Sequence, residues 1–135
     1  MTVGLVVVSH SRALGEEAKR LALEMVSGGE VRIEVAAGLD ETTLGTDATA
    51  IAGAVEEADS GDGVVVLMDL GSAVLSAEMA LEMVADDVRQ RVVLSPGPLV
   101  EGLVVAATAA ATGRDRAAVA ADAARGLLPK EMHLR

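Results

Sequence analysis

Residues 3–12 read Val-Gly-Leu-Val-Val-Val-Ser-His-Ser-Arg, "VGLVVVSHSR". The run carries no charge until it stops at a histidine set between two serines. A continuous stretch rich in β-branched residues is the pattern of a strand buried on both faces. From Ser11 the period changes. Leu14, Ala18, Leu21 and Met25 recur at helical spacing, with Glu16, Glu17, Lys19, Arg20 and Glu24 elsewhere on the wheel. Gly28-Gly29 closes that helix. His10 therefore stands where a buried strand hands over to a helix.

The alternation continues along the chain. Val31–Ala36 is a second strand and Ala37–Thr46, "AGLDETTLGT", a polar loop. Asp47–Asp59 forms a weaker, alanine-rich acidic helix, and Ser60–Gly63 is a turn. Gly63–Met68, "GVVVLM", is another buried strand that ends at Asp69. Gly71-Ser72 leads into a helix with Val74, Ala77, Leu81 and Val84 on one face. Met79 and Met83 are read as core filler. Val92–Leu94 is a short fourth strand. Pro96-Gly97-Pro98 breaks the chain and starts the helix Leu99–Thr112, with Pro98 at its first position. Asp115–Arg125 is a small last helix, and Leu127–Arg135 is read as irregular. Strands alternating with helices imply an α/β fold, an open parallel four-stranded sheet with helices on both faces; its strand order is taken to be 2-1-3-4.

Composition bounds the function. The 135 residues suit one domain, and the apolar share of 51% includes no aromatic residue, so the core is Val, Leu, Ala, Ile and Met. No cysteine is present, which removes disulfides and thiolate chemistry and suits a cytoplasmic protein. A net charge of −10 without a basic face or stacking rings argues against nucleic acid and against acidic membranes. The N-terminal apolar run is too short for a signal segment or a bilayer span.

In an open parallel sheet, ligands bind beyond the carboxyl ends of the strands, where the strand order reverses. With order 2-1-3-4 the reversal lies between the first and third strands. The residues just past those strands are His10 and Asp69. A carboxylate that holds one imidazole nitrogen fixes the tautomer and leaves the other nitrogen as nucleophile. Helices starting near Ser11 and near Gly71-Ser72 aim N–H groups at an anion there. Competing readings are plain: a strand-end histidine is often only structural, Asp69 is placed to cap a helix, and Ser9 and Ser11 are ordinary cap residues. His133 lies in the tail and is given no role. No metal is expected, because His10 and Asp69 alone leave a site short of ligands, and no cofactor is expected.

The segments "VGLVVVSHSRALGEEAKRLALEM", "GTDATAI", "VLMDLGSAVLSAEMALEM" and "PGPLVEGLVVAATAAATG" together resemble the phosphotransferase subunit of phosphoenolpyruvate-dependent dihydroxyacetone kinase. That family is related to the mannose-type enzyme IIA domains of the sugar phosphotransferase system. The likeness runs in order to about Gly126. "DLGSA" at 69–73 departs from the Gly-Gly-Ser/Thr-Pro turn usual in mannose-type domains. A mannose-type enzyme IIA domain is the alternative. A flavodoxin-like or receiver module fits less well, lacking stacking rings and an acidic cluster.

The resemblance implies a phosphocarrier domain over residues 1–126 and a tail over 127–135. It implies His10 as the phosphorylated residue and Asp69 as its partner; by their own positions at the strand end and helix starts, Ser9, Ser11, Gly71 and Ser72 are expected to support the phosphoryl group. It implies a donor, the histidine-containing phosphocarrier protein, and transfer to ADP on the nucleotide-binding kinase subunit, with a further subunit holding dihydroxyacetone. It also implies a homodimer, an expectation that the apolar helix Leu99–Thr112 shares.

Overall fold

The computed structural model describes residues 2–135 and holds an open sheet of four parallel strands. In chain order the elements are β1 (Gly4–Ser9), α1 (Arg12–Met25), β2 (Ile33–Ala37), α2 (Ala48–Ala58), β3 (Val64–Met68), α3 (Gly71–Leu81), α4 (Asp86–Arg89), β4 (Val92–Ser95), α5 (Leu99–Ala111), α6 (Arg116–Ala124) and α7 (Leu128–His133). The sheet order is β2-β1-β3-β4, the order expected, and the reversal falls between β1 and β3. Their register pairs Leu5 with Val65 and Val8 with Met68, so both strands stop at the same edge.

Every residue of β1 and β3 is buried, which explains why neither strand carries a polar side chain before its end. Alternate residues serve opposite faces. Leu5, Val7, Val65 and Leu67 pack with α1, α5 and α6, while Val6, Val8, Val64 and Val66 pack with α2 and α3. Each such side chain contributes about 1.5–3 kcal/mol by leaving water.

The helices turn a different face inward from the one their large residues suggest. α1 buries Gly15, Ala18 and Ala22, whereas Leu14, Leu21 and Met25 remain exposed. α3 buries Ala73, Ala77 and Ala80, and Val74 points outward. Met79 and Met83, expected in the core, are 58% and 52% exposed. Close approach is the cause. A Cβ on Gly15 would lie 2.7 Å from the Ala37 Cβ and 3.0 Å from Val35, so α1 lies against β2 with no room for a larger residue.

Two further expectations are corrected. The tail is not irregular: residues 128–133 form α7, and Lys130 pairs with Glu101 on α5. The apolar character of α5 is largely satisfied within the chain, because α1 and α6 pack beside it over Leu103, Ala106, Ala107 and Ala110. Val100 stays exposed, and α4 is a short helix that the spacing did not disclose.

Candidate functional site

The carboxyl ends of β1 and β3 deliver Ser9-His10 and Asp69 to one point. The strand ladder itself sets the approach, since the Asp69 N–H donates to the Val8 carbonyl at 3.1 Å. The Asp69 carboxylate then reaches across the switch point. Its Oδ2 accepts from the His10 backbone N–H at 2.9 Å and from the Ser9 hydroxyl at 3.0 Å. Its Oδ1 meets His10 Nδ1 at 2.9 Å and accepts from the Leu70 N–H at 2.7 Å.

These contacts fix the charge on Asp69. Burial opposes ionisation, but the backbone and ring of His10, the Ser9 hydroxyl and the Leu70 N–H outweigh it and hold the carboxyl below its usual range. An ionised carboxylate only accepts, so the proton between the two groups belongs to Nδ1. In the neutral ring, Nε2 then carries the lone pair. Nε2 faces the start of α3, where the Ser72 hydroxyl stands 2.5 Å away as its donor. The ring side chain is 24% exposed, while the carboxylate behind it is 10% exposed. One nitrogen is thus held from within and the other is open to a reacting group.

The remaining expected residues divide. Ser72 touches the open nitrogen. Gly71 begins α3, whose N-terminus has no side-chain cap, so the helix presents its first-turn N–H groups on that side. Ser9 is fully buried and stands behind Asp69, accepting the Ser11 N–H at 3.1 Å. It is not placed as a donor to a group on Nε2. Ser11 is the N-cap of α1, its Oγ accepting from the Leu14 N–H at 3.2 Å. Asp69 is not the side-chain cap of α3.

Spacing alone left the loop at residues 38–47 without a role, yet it braces the site. The Gly45 N–H donates to the His10 carbonyl at 2.9 Å, and Thr46 Oγ1 meets Ser76 Oγ at 2.7 Å, joining the loop to α3. Asp40 collects the N–H and hydroxyl groups of Thr42 and Thr43, which makes the loop compact. The "GTDATAI" segment was visible in the sequence, but contact with His10 was not.

A groove of about 450 Å³ runs beside Asp69 between residues 68–74 and 95–99. A larger cleft of about 560 Å³ lies around Thr2, Leu23 and residues 29–32. It contains neither histidine, so chemistry rather than size selects the first location.

Fold and site define an open parallel α/β domain with a carboxylate-held histidine at its switch point. Residues 4–120 match the family of the PTS system fructose IIA component (EIIA-man). The "PEP-dependent dihydroxyacetone kinase, phosphoryl donor subunit DhaM" of Escherichia coli (strain K12) is 43% identical over 134 residues, covering 98% of this chain and 28% of that protein. The chain thus spans little more than a quarter of that relative. The phosphoryl donor subunit DhaM of the PEP-dependent dihydroxyacetone kinase 2 of Listeria innocua is 35% identical, covering 78% of this chain and 83% of that protein. Among solved structures, the protein of unknown function EF1359 superposes with a TM-score of 0.82 at 33% identity, covering 93% of this chain and 95% of that one. The chain belongs to the enzyme IIA family, on its branch of DhaM-type phosphoryl donor subunits. No helix among the described residues is long and apolar enough to cross a membrane.

Proposed function

We propose that the chain is a phosphohistidine carrier that takes a phosphoryl group from the histidine-containing phosphocarrier protein and delivers it to ADP on the nucleotide subunit of a dihydroxyacetone kinase. The observation that carries this reading is the split use of the His10 ring. Asp69 holds Nδ1–H, and Nε2 looks outward at an uncapped helix N-terminus. The names of the relatives supply the acceptor system.

In the loading step the Nε2 lone pair attacks phosphorus on the donor's phosphohistidine. The donor N–P bond breaks and its electron pair returns to the donor ring. The His10 ring becomes cationic, its Nδ1–H still donated to the Asp69 carboxylate, which stabilises it. Ser72 gives up its bond to Nε2 and donates to a phosphoryl oxygen, while the start of α3 offsets the added negative charge. In the unloading step a β-phosphate oxygen of ADP attacks phosphorus, the Nε2–P bond breaks, and the ring returns to its neutral form. The protein acts by positioning and charge, which is what phosphoryl transfer asks of it. Two such chains form the working unit, and the exposed Leu14, Leu21 and Met25 of α1 with Val100 of α5 supply an apolar face for the contact. Light scattering at micromolar concentration tests that point; a monomer mass removes it.

The central test is labelling by the phosphorylated carrier. One acid-labile, base-stable label is expected on the wild type and on His133→Ala, and none on His10→Ala. A label that survives in His10→Ala, or an acid-stable label on serine, overturns the reading.

A further inference from the structure

α3 carries the hydroxyl that touches Nε2, yet its own packing does little to fix where that hydroxyl sits. The helix buries Ala73, Ala77 and Ala80, while α2 beside it buries Ile51, Ala52, Ala54, Val55 and Ala58. Three methyl groups make a smooth face with little to interlock, so the register of α3 along the sheet is weakly set. Its covalent tie to the site passes through Leu70, whose N–H is held by Asp69 at 2.7 Å, and then through Gly71, where a Cβ would meet nothing within 4 Å. A helix fastened only at such an end can pivot there.

A second fastening comes from Gly45-Thr46-Asp47, three consecutive residues that each bind a different element. The Gly45 N–H donates to the His10 carbonyl at 2.9 Å, at a φ of +147° where a Cβ would lie 2.9 Å from Leu39. Asp47 caps α2, accepting from the Thr49 N–H at 2.9 Å. Between them, Thr46 Oγ1 pairs with Ser76 Oγ at 2.7 Å. Ser76 lies one turn beyond Ser72 on α3, on the same side of the helix. The contacts close a circuit. It runs from the His10 carbonyl through Gly45, Thr46, Ser76 and Ser72 back to Nε2 of the same residue.

We infer that Thr46 is a positioning residue for phosphoryl transfer: its bond to Ser76 sets the distance of the Ser72 hydroxyl from His10 Nε2, and so from the phosphoryl oxygen that Ser72 serves. The inference rests on the phosphotransfer reading and adds to it a residue that acts through α3 rather than on the ring. Threonine is stiff at χ1, which suits a strut between two elements. The anchored side of the strut is α2 and the end of β1; the adjustable side is α3. The precision matters because a misplacement of about 1 Å in a reacting assembly can cost about 10²-fold in rate.

The test compares loading of His10 by the phosphorylated carrier protein with loading by phosphoramidate. In that small donor the N–P bond breaks as Nε2–P forms, and its nitrogen leaves as ammonia. Thr46→Val removes the hydroxyl and keeps the shape of the side chain; Ser76→Ala removes the bond from the other side. Each is expected to slow both reactions about tenfold, the carrier reaction in its limiting rate and not in its half-saturating concentration. Thr46→Ser is expected to restore the rate to within about twofold of the wild type. Ser72→Ala is expected to lose about 10²-fold, as when one donor to a developing charge is removed, and in that background Thr46→Val costs nothing further. A general loosening of the fold would cost the same in both backgrounds. In protein carrying isotope-labelled histidine, the Nε2 resonance should move in Thr46→Val toward its Ser72→Ala position and return in Thr46→Ser. Wild-type loading in Thr46→Val and Ser76→Ala overturns the inference. So does a slowing that persists in Ser72→Ala, or one confined to the half-saturating concentration of the carrier. A wild type that takes no label on His10 from either donor is a separate outcome: it overturns the phosphotransfer reading, and the inference with it.

Discussion

Asp59 and Asp69 stand at the two ends of β3, and each is held below the usual carboxylate range. At the amino end, Asp59 closes α2 and binds Arg91 at 2.7 Å; this bond, with the N–H groups of Gly61 and Gly63, outweighs burial and lowers its pKa. At the carboxyl end, Asp69 meets a ring instead of a guanidinium. The difference lies in what the partner has left. Arg91 is a permanent cation, so its charge is spent on the fold and nothing titrates near neutrality. His10 gives one nitrogen to the carboxylate and keeps the other for chemistry. A depressed carboxylate is therefore no signature of a site; an accompanying nitrogen that is both reactive and reachable is.

The most direct way to break the comparison is to remove one charge at a time. Asp69→Asn should fold and lose phosphoryl transfer by up to about 10⁴-fold, the cost of an orienting carboxylate in a catalytic triad. Single-turnover transfer checks it; an unchanged rate reduces Asp69 to a structural acceptor. Asp59→Asn should do the reverse. It leaves transfer within about twofold and lowers stability, because Arg91 and the N–H of Gly61 lose the carboxylate that binds them. Urea unfolding followed by far-ultraviolet circular dichroism measures this, the chain having no aromatic residue to report by fluorescence.

Acid sharpens the same contrast. Both carboxyls have lower pKa values folded than unfolded, so folding favours their ionised forms. Their contribution is complete above the unfolded pKa of about 4 and is lost as pH falls through the folded values. The wild type should lose stability below about pH 4, and Asp59→Asn should lose less over the same interval. Equal slopes in the urea midpoint between pH 5 and pH 3 would show that the Asp59 pair contributes nothing to acid sensitivity.

The strands and the switch point were legible because burial on both faces leaves a strand no choice of residue. "GLVVVS" and "VVVLM" are buried along their whole length, and the residues just past the two strands are His10 and Asp69. Helix orientation was not legible. Without aromatic side chains the layers lie close, so glycine and alanine face the sheet and leucine is left outside, as at Gly15, Ala18 and Ala22 against Leu14, Leu21 and Met25. A reading that ranks residues by hydrophobicity turns such a helix the wrong way round. The role of Ser9 escaped for a related reason. Sequence places it beside His10, but the strand alternation that points it inward toward Asp69 appears only once β1 and β3 are paired.

Ser9 supplies the smallest expected effect and the finest probe of the carboxyl end. Its hydroxyl donates to Asp69 Oδ2 and accepts the Ser11 N–H, in a fully buried position. Ser9→Ala removes one of the donors that depress Asp69 and leaves the Ser11 N–H unpaired. The folded pKa of Asp69 should rise toward its ordinary value, because burial, which favours the neutral acid, then meets weaker opposition. Stability above about pH 4 should drop by about 1 kcal/mol, the net worth of one such bond. Transfer near neutral pH should slow only a few-fold, since the Nδ1 contact remains. The acid limb of the transfer rate should move to higher pH, which a purely structural serine would not cause. A rate–pH profile that superposes on the wild type would place Ser9 in the packing of β1 alone, and the carboxylate would then owe its charge to His10 and Leu70.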